Sequence, residues 1–409
     1  MIFNTWIYGV FLAVFSILYW TVVPAKGRTV ALLVAGLVFY TYYYPAHTLL
    51  IAALILATYI LGSAVSRLNS GEPFPVLEGL FSVRAVFIAS LVLCLGVLAY
   101  YKYLKLFVST YNDISGLFNS GLTYKTPDLV VPLGLSFFVF EFVHYLAETY
   151  KGNLPRASLT EYAAFGLFFP TLVAGPIKRF QPFLEQIRNP AAFKIEYLSE
   201  GLYRILTGLG KKVIIADSMA VFTGPLANPL NASTADLWVA VYAFAIKIFF
   251  DFAGYSDIAI GSAKLLGIQV PENFSRPYLR QNIAAFWNSW HMSLSSWIRD
   301  YLYIPLGGNR GTLLFTVRNL MFAMALCGLW HGAAWNFVVW GVYHGAGLSF
   351  YRIYRKRGAS LIRCIEKLPA PVTKTLSTVA TFHFVCIGWV FFATDIGKSF
   401  LVLGMLFSP

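Results

Sequence analysis

Residues 313–351 read LLFTVRNLMFAMALCGLWHGAAWNFVVWGVYHGAGLSFY, and Arg318 is the one formally charged side chain in the stretch. Two apolar runs, 313–331 and 332–351, each approach the length of a membrane-crossing helix, since twenty residues at a 1.5 Å rise cover about 30 Å. The bases that follow set the direction. Arg352, Arg355, Lys356, Arg357, Arg363, Lys367 and Lys374 stand against a single acid, Glu366, so the positive-inside bias places that loop in the cytosol. Arg310 and Arg318 put the start of the first run near the same side, and residues 320–330 cover only about 17 Å. Both distances predict a helical hairpin with His331 at its top, at membrane depth.

The rest of the chain has the same character. Ten further apolar runs lie at 3–24, 29–45, 47–66, 84–108, 129–150, 162–177, 201–224, 236–268, 372–393 and 396–408, separated by breaks such as Pro45 and residues 69–75. The 409 residues are 58% apolar and 12% charged, too little charge for a soluble surface of this size. The expectation is an all-α polytopic membrane protein with about 10–12 transmembrane and re-entrant helices, forming a single integral-membrane domain over residues 1–409. The opening run, MIFNTWIYGVFLAVFSILYW, has no basic leader and no small-residue cleavage site, so it reads as the first spanning helix. A net charge of +13 in short loops follows the positive-inside pattern and gives no reason to invoke nucleic acid. Cys94, Cys327, Cys364 and Cys386 have no ligand spacing, and no metal site is expected.

Two regions depart from plain spans. Residues 162–190, YAAFGLFFPTLVAGPIKRFQPFLEQIRNP, are broken by Pro170, Gly175 and Pro176 and then turn basic and amphipathic, which predicts a re-entrant or interfacial helix. Residues 271–311 mix Arg276, Arg280, Arg299, Asp300 and Arg310 with Trp287, Trp290, Trp297, Tyr301 and Tyr303. Such a mixture belongs inside protein, along a cavity or at the interface. A surface-lying amphipathic helix without chemistry is the alternative.

Polar rings are costly at membrane depth, so the histidines are the first candidates for chemistry. Trp330-His331 lies between Gly328 and Gly332, where backbone or substrate can approach closely, with Trp335 and Asn336 one turn on. A neutral imidazole there can take a proton from a hydroxyl; a histidine bonded between helices for packing is the competing reading. Trp290-His291 would share a helical face with Trp287 and Ser295, at i−4 and i+4, as a second catalytic group, a tunnel residue or a structural one. His344, about 220° round an ideal helix from His331, reads as structural, and His144, near Glu141 and Glu148, as part of a satisfied polar cluster or an access path. The turn Leu306-Gly307-Gly308-Asn309-Arg310-Gly311 offers backbone N–H groups and a cation for a phosphate, but it lacks the Gly-Lys-Ser/Thr ending of a Walker loop.

These blocks together resemble the membrane-bound O-acyltransferase family. SWHMSLSSWIRDYLYIPLGGNRG (289–311) and GLWHGAAWNFVVWGVYHG (328–345) carry the resemblance, supported by SFFVFEFVHYLAETYKG (136–152), FFPTLVAGPIKRF (168–180) and NFSRPYL (273–279). The likeness runs over most of residues 90–395 and is nearest to the alginate O-acetylation branch. It implies His331 as the principal catalytic histidine and His291 as the second. It also implies a ring of helices around a thin centre with a tunnel between the two faces. Trp290, Trp330, Trp335, Asn336, Ser295, Arg299, Asp300, Tyr303 and Arg310 become candidates for the donor site or tunnel wall, and Arg276 and Arg280 for holding donor phosphates.

The reaction implied is acetyl transfer from acetyl-CoA, with no permanently bound cofactor. The acceptor would be a hydroxyl of an extracytoplasmic polysaccharide, or a periplasmic or extracellular acetyltransferase partner, at the bacterial cytoplasmic (inner) membrane. D-alanyl transfer toward teichoic acid-like polymers is the nearest rival; a non-catalytic acyl or solute channel and a scaffold are rivals of other classes. Alginate-branch members usually continue for several helices beyond a segment like 388–392, whereas this sequence stops at Pro409.

Overall fold

The structure is a computed structural model that describes residues 5–43, 45–72, 82–118, 122–173, 175–357 and 368–408. Every regular element among the described residues is helical. Among the described residues five helices are long and apolar enough to cross a membrane: Pro45–Asn69, Val83–Leu117, Thr234–Leu265, Leu313–His331 and Ala370–Ala393. Trp6–Thr21 and Ile396–Phe407 are shorter and also apolar. The protein is an all-α, multi-pass membrane protein, as its composition predicts. Of the basic loop, Arg363, Glu366 and Lys367 lie outside the described residues, as does Cys364.

The chain gathers into two compact units. The first comprises residues 1–207 and 255–271. Here the opening helix is tied to the last turns of Thr234–Leu265 by polar contacts: Tyr8 donates to the Ser262 hydroxyl at 2.8 Å, and the Trp20 indole to the Leu265 carbonyl at 2.8 Å. Gly201 and Gly261 let two helix backbones touch, since a Cβ on Gly261 would lie 2.7 Å from the Gly201 carbonyl oxygen. The run at 129–150 is shorter than the sequence suggests. The helix begins at Leu135, behind Pro132 and a left-handed Gly134 (φ 70°), both of which break helical geometry.

Residues 162–177 do not form a spanning helix. A short helix, Leu159–Gly166, opens on a Ser158–Glu161 capping box; residues 167–173 and 175–179 are non-helical, and Phe180–Arg188 follows. Buried Lys178 donates to Glu141, and the Phe180 N–H donates to His144 Nε2 at 2.8 Å. His144 therefore belongs to a satisfied cluster that pins this segment. Glu148 bonds Lys151 and Asn153. Arg188 donates to Glu161, which holds that carboxyl below its ordinary value of 4.5.

The second unit comprises residues 208–254 and 272–409. Its centre is the hairpin foreseen in the sequence: Leu313–His331, a break at residues 332–334, and Trp335–Arg357. Glycines permit its closeness. A Cβ on Gly328 would lie 2.0 Å from the Phe337 carbonyl oxygen, and one on Gly341 would lie 2.1 Å from that of Met324. The return helix packs on Ala370–Ala393, where Tyr343 donates to the Phe384 carbonyl and Asn336 to the Phe391 carbonyl.

Candidate active site

The segment before the hairpin does not run as one helix. Ile283–Trp287 ends, a turn covers residues 288–291, and Met292–Ile298 begins with His291 at its N-cap in the left-handed region (φ 41°). The shared face proposed for Trp287, His291 and Ser295 is therefore not formed, because the backbone reverses at the histidine. Arg276, in the preceding strap, is the other non-glycine residue at positive φ (47°) among the described residues. Left-handed geometry costs such a residue about 1–2 kcal/mol and persists only where the surroundings impose it.

Here the strap imposes it. Met292 N–H donates to the Asn273 carbonyl at 2.9 Å, the Ser293 hydroxyl to Asn273 Oδ1 at 2.6 Å, and Ser275 N–H to the Ser289 carbonyl at 3.0 Å. Arg280 donates back to the Ser275 carbonyl and hydroxyl, which gives it a local structural role.

Three imidazoles and two indoles follow one another through this unit. His291 lies 6.0 Å from Trp330, Trp330 lies 4.8 Å from His331, His331 lies 5.1 Å from Trp340, and Trp340 lies 4.9 Å from His344, all between ring centroids. Phe252 closes on His291 at 4.6 Å and Phe392 on His331 at 5.2 Å. His291 and His344 are buried, and among the described residues no protein group hydrogen-bonds either ring nitrogen of either histidine. His331 is partly open.

His344 was expected to point elsewhere. The helical-wheel reasoning fails because the helix breaks between residues 331 and 335, so the two histidines do not share one wheel. Trp340 packs edge-on to the His331 ring, and Trp335 is half exposed. Trp340, Phe392 and Phe252 escaped the sequence reading, since their only mark is being aromatic in an aromatic-rich chain.

A pocket of about 380 Å³ lies between the Ile283–Tyr303 segment and the hairpin. Ser295, Arg299 and Tyr303 line it, together with Met292, next in chain to His291, and Cys327, one turn before His331. Arg299 is largely exposed and pairs with Asp300 at 2.9 Å. Residues Arg299–Tyr303 form a π-helical turn, a form frequent at functional sites.

Other candidates sit apart from this pocket. Trp290 packs among Phe274, Tyr278, Phe286 and Trp389, and Asn336 holds the hairpin apex to the neighbouring helix. The glycine turn uses its own amides: Gly307 N–H donates to Ile304, Gly308 N–H to Tyr303 and Arg310 N–H to Gly307. Asn319 locks the turn by donating to the Leu306 and Gly308 carbonyls. The amides of Gly307, Gly308 and Arg310 are thus already spent on internal bonds.

The profile of the membrane-bound O-acyltransferase family matches residues 37–388, a stretch that contains all three histidines of the array. The chain belongs to the membrane-bound O-acyltransferase family. It is a membrane O-acyltransferase. It is 37% identical over 390 residues to the probable alginate O-acetylase AlgI of Azotobacter vinelandii, covering 94% of this chain and 73% of that protein. It is 33% identical over 337 residues to the peptidoglycan O-acetyltransferase of Helicobacter pylori (76% and 62%). The teichoic acid D-alanyltransferase of Bacillus subtilis is 34% identical over 288 residues (67% and 70%).

Proposed function

We propose that this acyltransferase moves an acetyl group from a cytosolic thioester, acetyl-CoA, to a hydroxyl of an extracytoplasmic polysaccharide, directly or through a periplasmic acetyltransferase partner, in the cytoplasmic membrane of a bacterium. The observation that carries the reading is the meeting of the two signature histidines on one indole, Trp330, beside a pocket that reaches Met292 and Cys327.

His331, the partly open ring, is the base. It takes the proton of the hydroxyl as that oxygen bonds to the thioester carbonyl carbon; the carbon–sulfur bond then breaks and the thiol leaves with the proton. His291, clamped by the Asn273 strap, orients the thioester. The 380 Å³ pocket is the donor's end of a route through the membrane, with Arg299 at its mouth to meet donor phosphates. Acetyl is favoured over D-alanyl by coverage: the alginate O-acetylase relative aligns with 94% of this chain and the D-alanyltransferase with 67%.

The test is mass spectrometry of the cell-surface polymer with wild-type protein and with His331→Ala, alongside purified protein offered acetyl-CoA or a D-alanyl carrier thioester. Loss of polymer acetylation by a folded variant is expected. Full transfer by folded His331→Ala refutes the assignment, and use of the D-alanyl thioester alone refutes the acetyl reading.

A further inference from the structure

A second, larger cavity in the same unit, about 810 Å³, plays no part in the chemistry above. It is a groove between the helices Trp335–Arg357 and Ala370–Ala393. It runs from Arg355 and Thr373 at one end to Tyr343 and Phe384 at the other. Twelve helical residues separate Arg355 from Tyr343, so the groove is about 18 Å long, close to the roughly 15 Å of hydrocarbon in one leaflet. Its walls are mainly apolar and aromatic, with Ala346, Phe350 and Ala380 exposed along it, and Gln281, Asn282 and Thr381 add polar groups.

Its two ends differ in charge. Arg355 lines one end, in a stretch of chain that also carries Arg352, Lys356 and Arg357, whereas no charged residue lines the other end. Among the described residues Arg355 has no ion-pair partner, and the hydroxyls of Tyr351, Tyr354 and Ser377, which line the same end, have no hydrogen-bond partner. A lone cation beside three open hydroxyls can hold an anion rich in acceptor oxygens, and the apolar length beyond them can take a chain.

We propose that this groove binds an anionic glycerophospholipid, its phosphate at Arg355 and one acyl chain lying along the cleft toward Tyr343. Basic pockets between helices at the headgroup level recognise anionic lipid in this way. A partner's transmembrane helix would fill the apolar length but bring no anion to Arg355.

Native mass spectrometry of the full chain with phosphatidylglycerol and with phosphatidylethanolamine tests the proposal. Wild type is expected to retain phosphatidylglycerol preferentially. Arg355→Gln is expected to reduce that preference about fivefold, the effect of one basic contact, and leave phosphatidylethanolamine retention unchanged. Ala380→Trp, which fills the groove, is expected to abolish retention of both, while size exclusion shows each variant folded. Equal retention of the two lipids by wild type, or unchanged phosphatidylglycerol retention in both variants, overturns it. So does displacement of the lipid by glycerol 3-phosphate at equal concentration, which would mark a site for soluble phosphate.

Discussion

Gly328→Ala places a methyl group where the hairpin has no room. The new Cβ would sit 2.0 Å from the Phe337 carbonyl oxygen and 3.1 Å from the Gly341 Cα, both backbone atoms of the facing helix. Ordinary contact begins at 3.4 Å, so the two helices must part by roughly 1.4 Å. Overpacking of this kind costs about 1–3 kcal/mol, and a backbone collision belongs at the upper end because no rotamer relieves it. Alanine returns about 1 kcal/mol of helix propensity, leaving a net loss of about 1–2 kcal/mol.

The effect on catalysis is larger than that loss implies. His331 lies three residues from Gly328, and Trp340, which packs edge-on to its ring, is carried by the opposite helix. Displacing one against the other by an ångström can cost about 100-fold in rate. Thiol labelling on heating, which reports exposure of buried Cys94, Cys327 and Cys386, reads the stability; single-turnover acyl transfer reads the rate. Gly96→Ala is the control, because nothing lies within 4 Å of a Cβ there, and it should be neutral or stabilising. If Gly328→Ala transfers acyl groups at the wild-type rate and melts with wild type, backbone contact does not set the position of His331.

Other perturbations separate strain, charge and packing. His291→Gly relieves a left-handed residue and should hold or raise thermal stability by about 1 kcal/mol while transfer activity is lost; retained activity would show the imidazole to be dispensable. Glu141→Gln leaves the buried Lys178 uncompensated and should cost about 3–5 kcal/mol, whereas the double change Glu141→Leu with Lys178→Met should recover most of it, both read by thermal melting. Glu161, whose carboxyl Arg188 holds below 4.5, adds stability that is complete above that pH and lost as pH falls through the depressed value. Arg188→Ala should therefore shrink the difference in melting temperature between pH 6 and pH 4.

The two histidine blocks, the hairpin and the membrane character were legible in the residues, because an uncharged apolar run must hide its backbone in helices and a polar ring within such a run is conspicuous. That the run at 162–177 is interrupted was legible as well, through Pro170, Gly175 and Pro176. Helical-wheel reasoning misled wherever the helix was interrupted: at His291, which caps rather than continues a helix, and at residues 332–334, which separate His331 from the helix that carries Trp340 and His344.

Sequence by itself thus determined the fold class and the residue types at the centre, since these follow from hydrophobicity and local spacing. Tertiary structure alone decided which aromatic rings surround His331 and that Arg355 opens onto a groove. Each of those depends on contacts between segments far apart in the chain, and no local pattern encodes them.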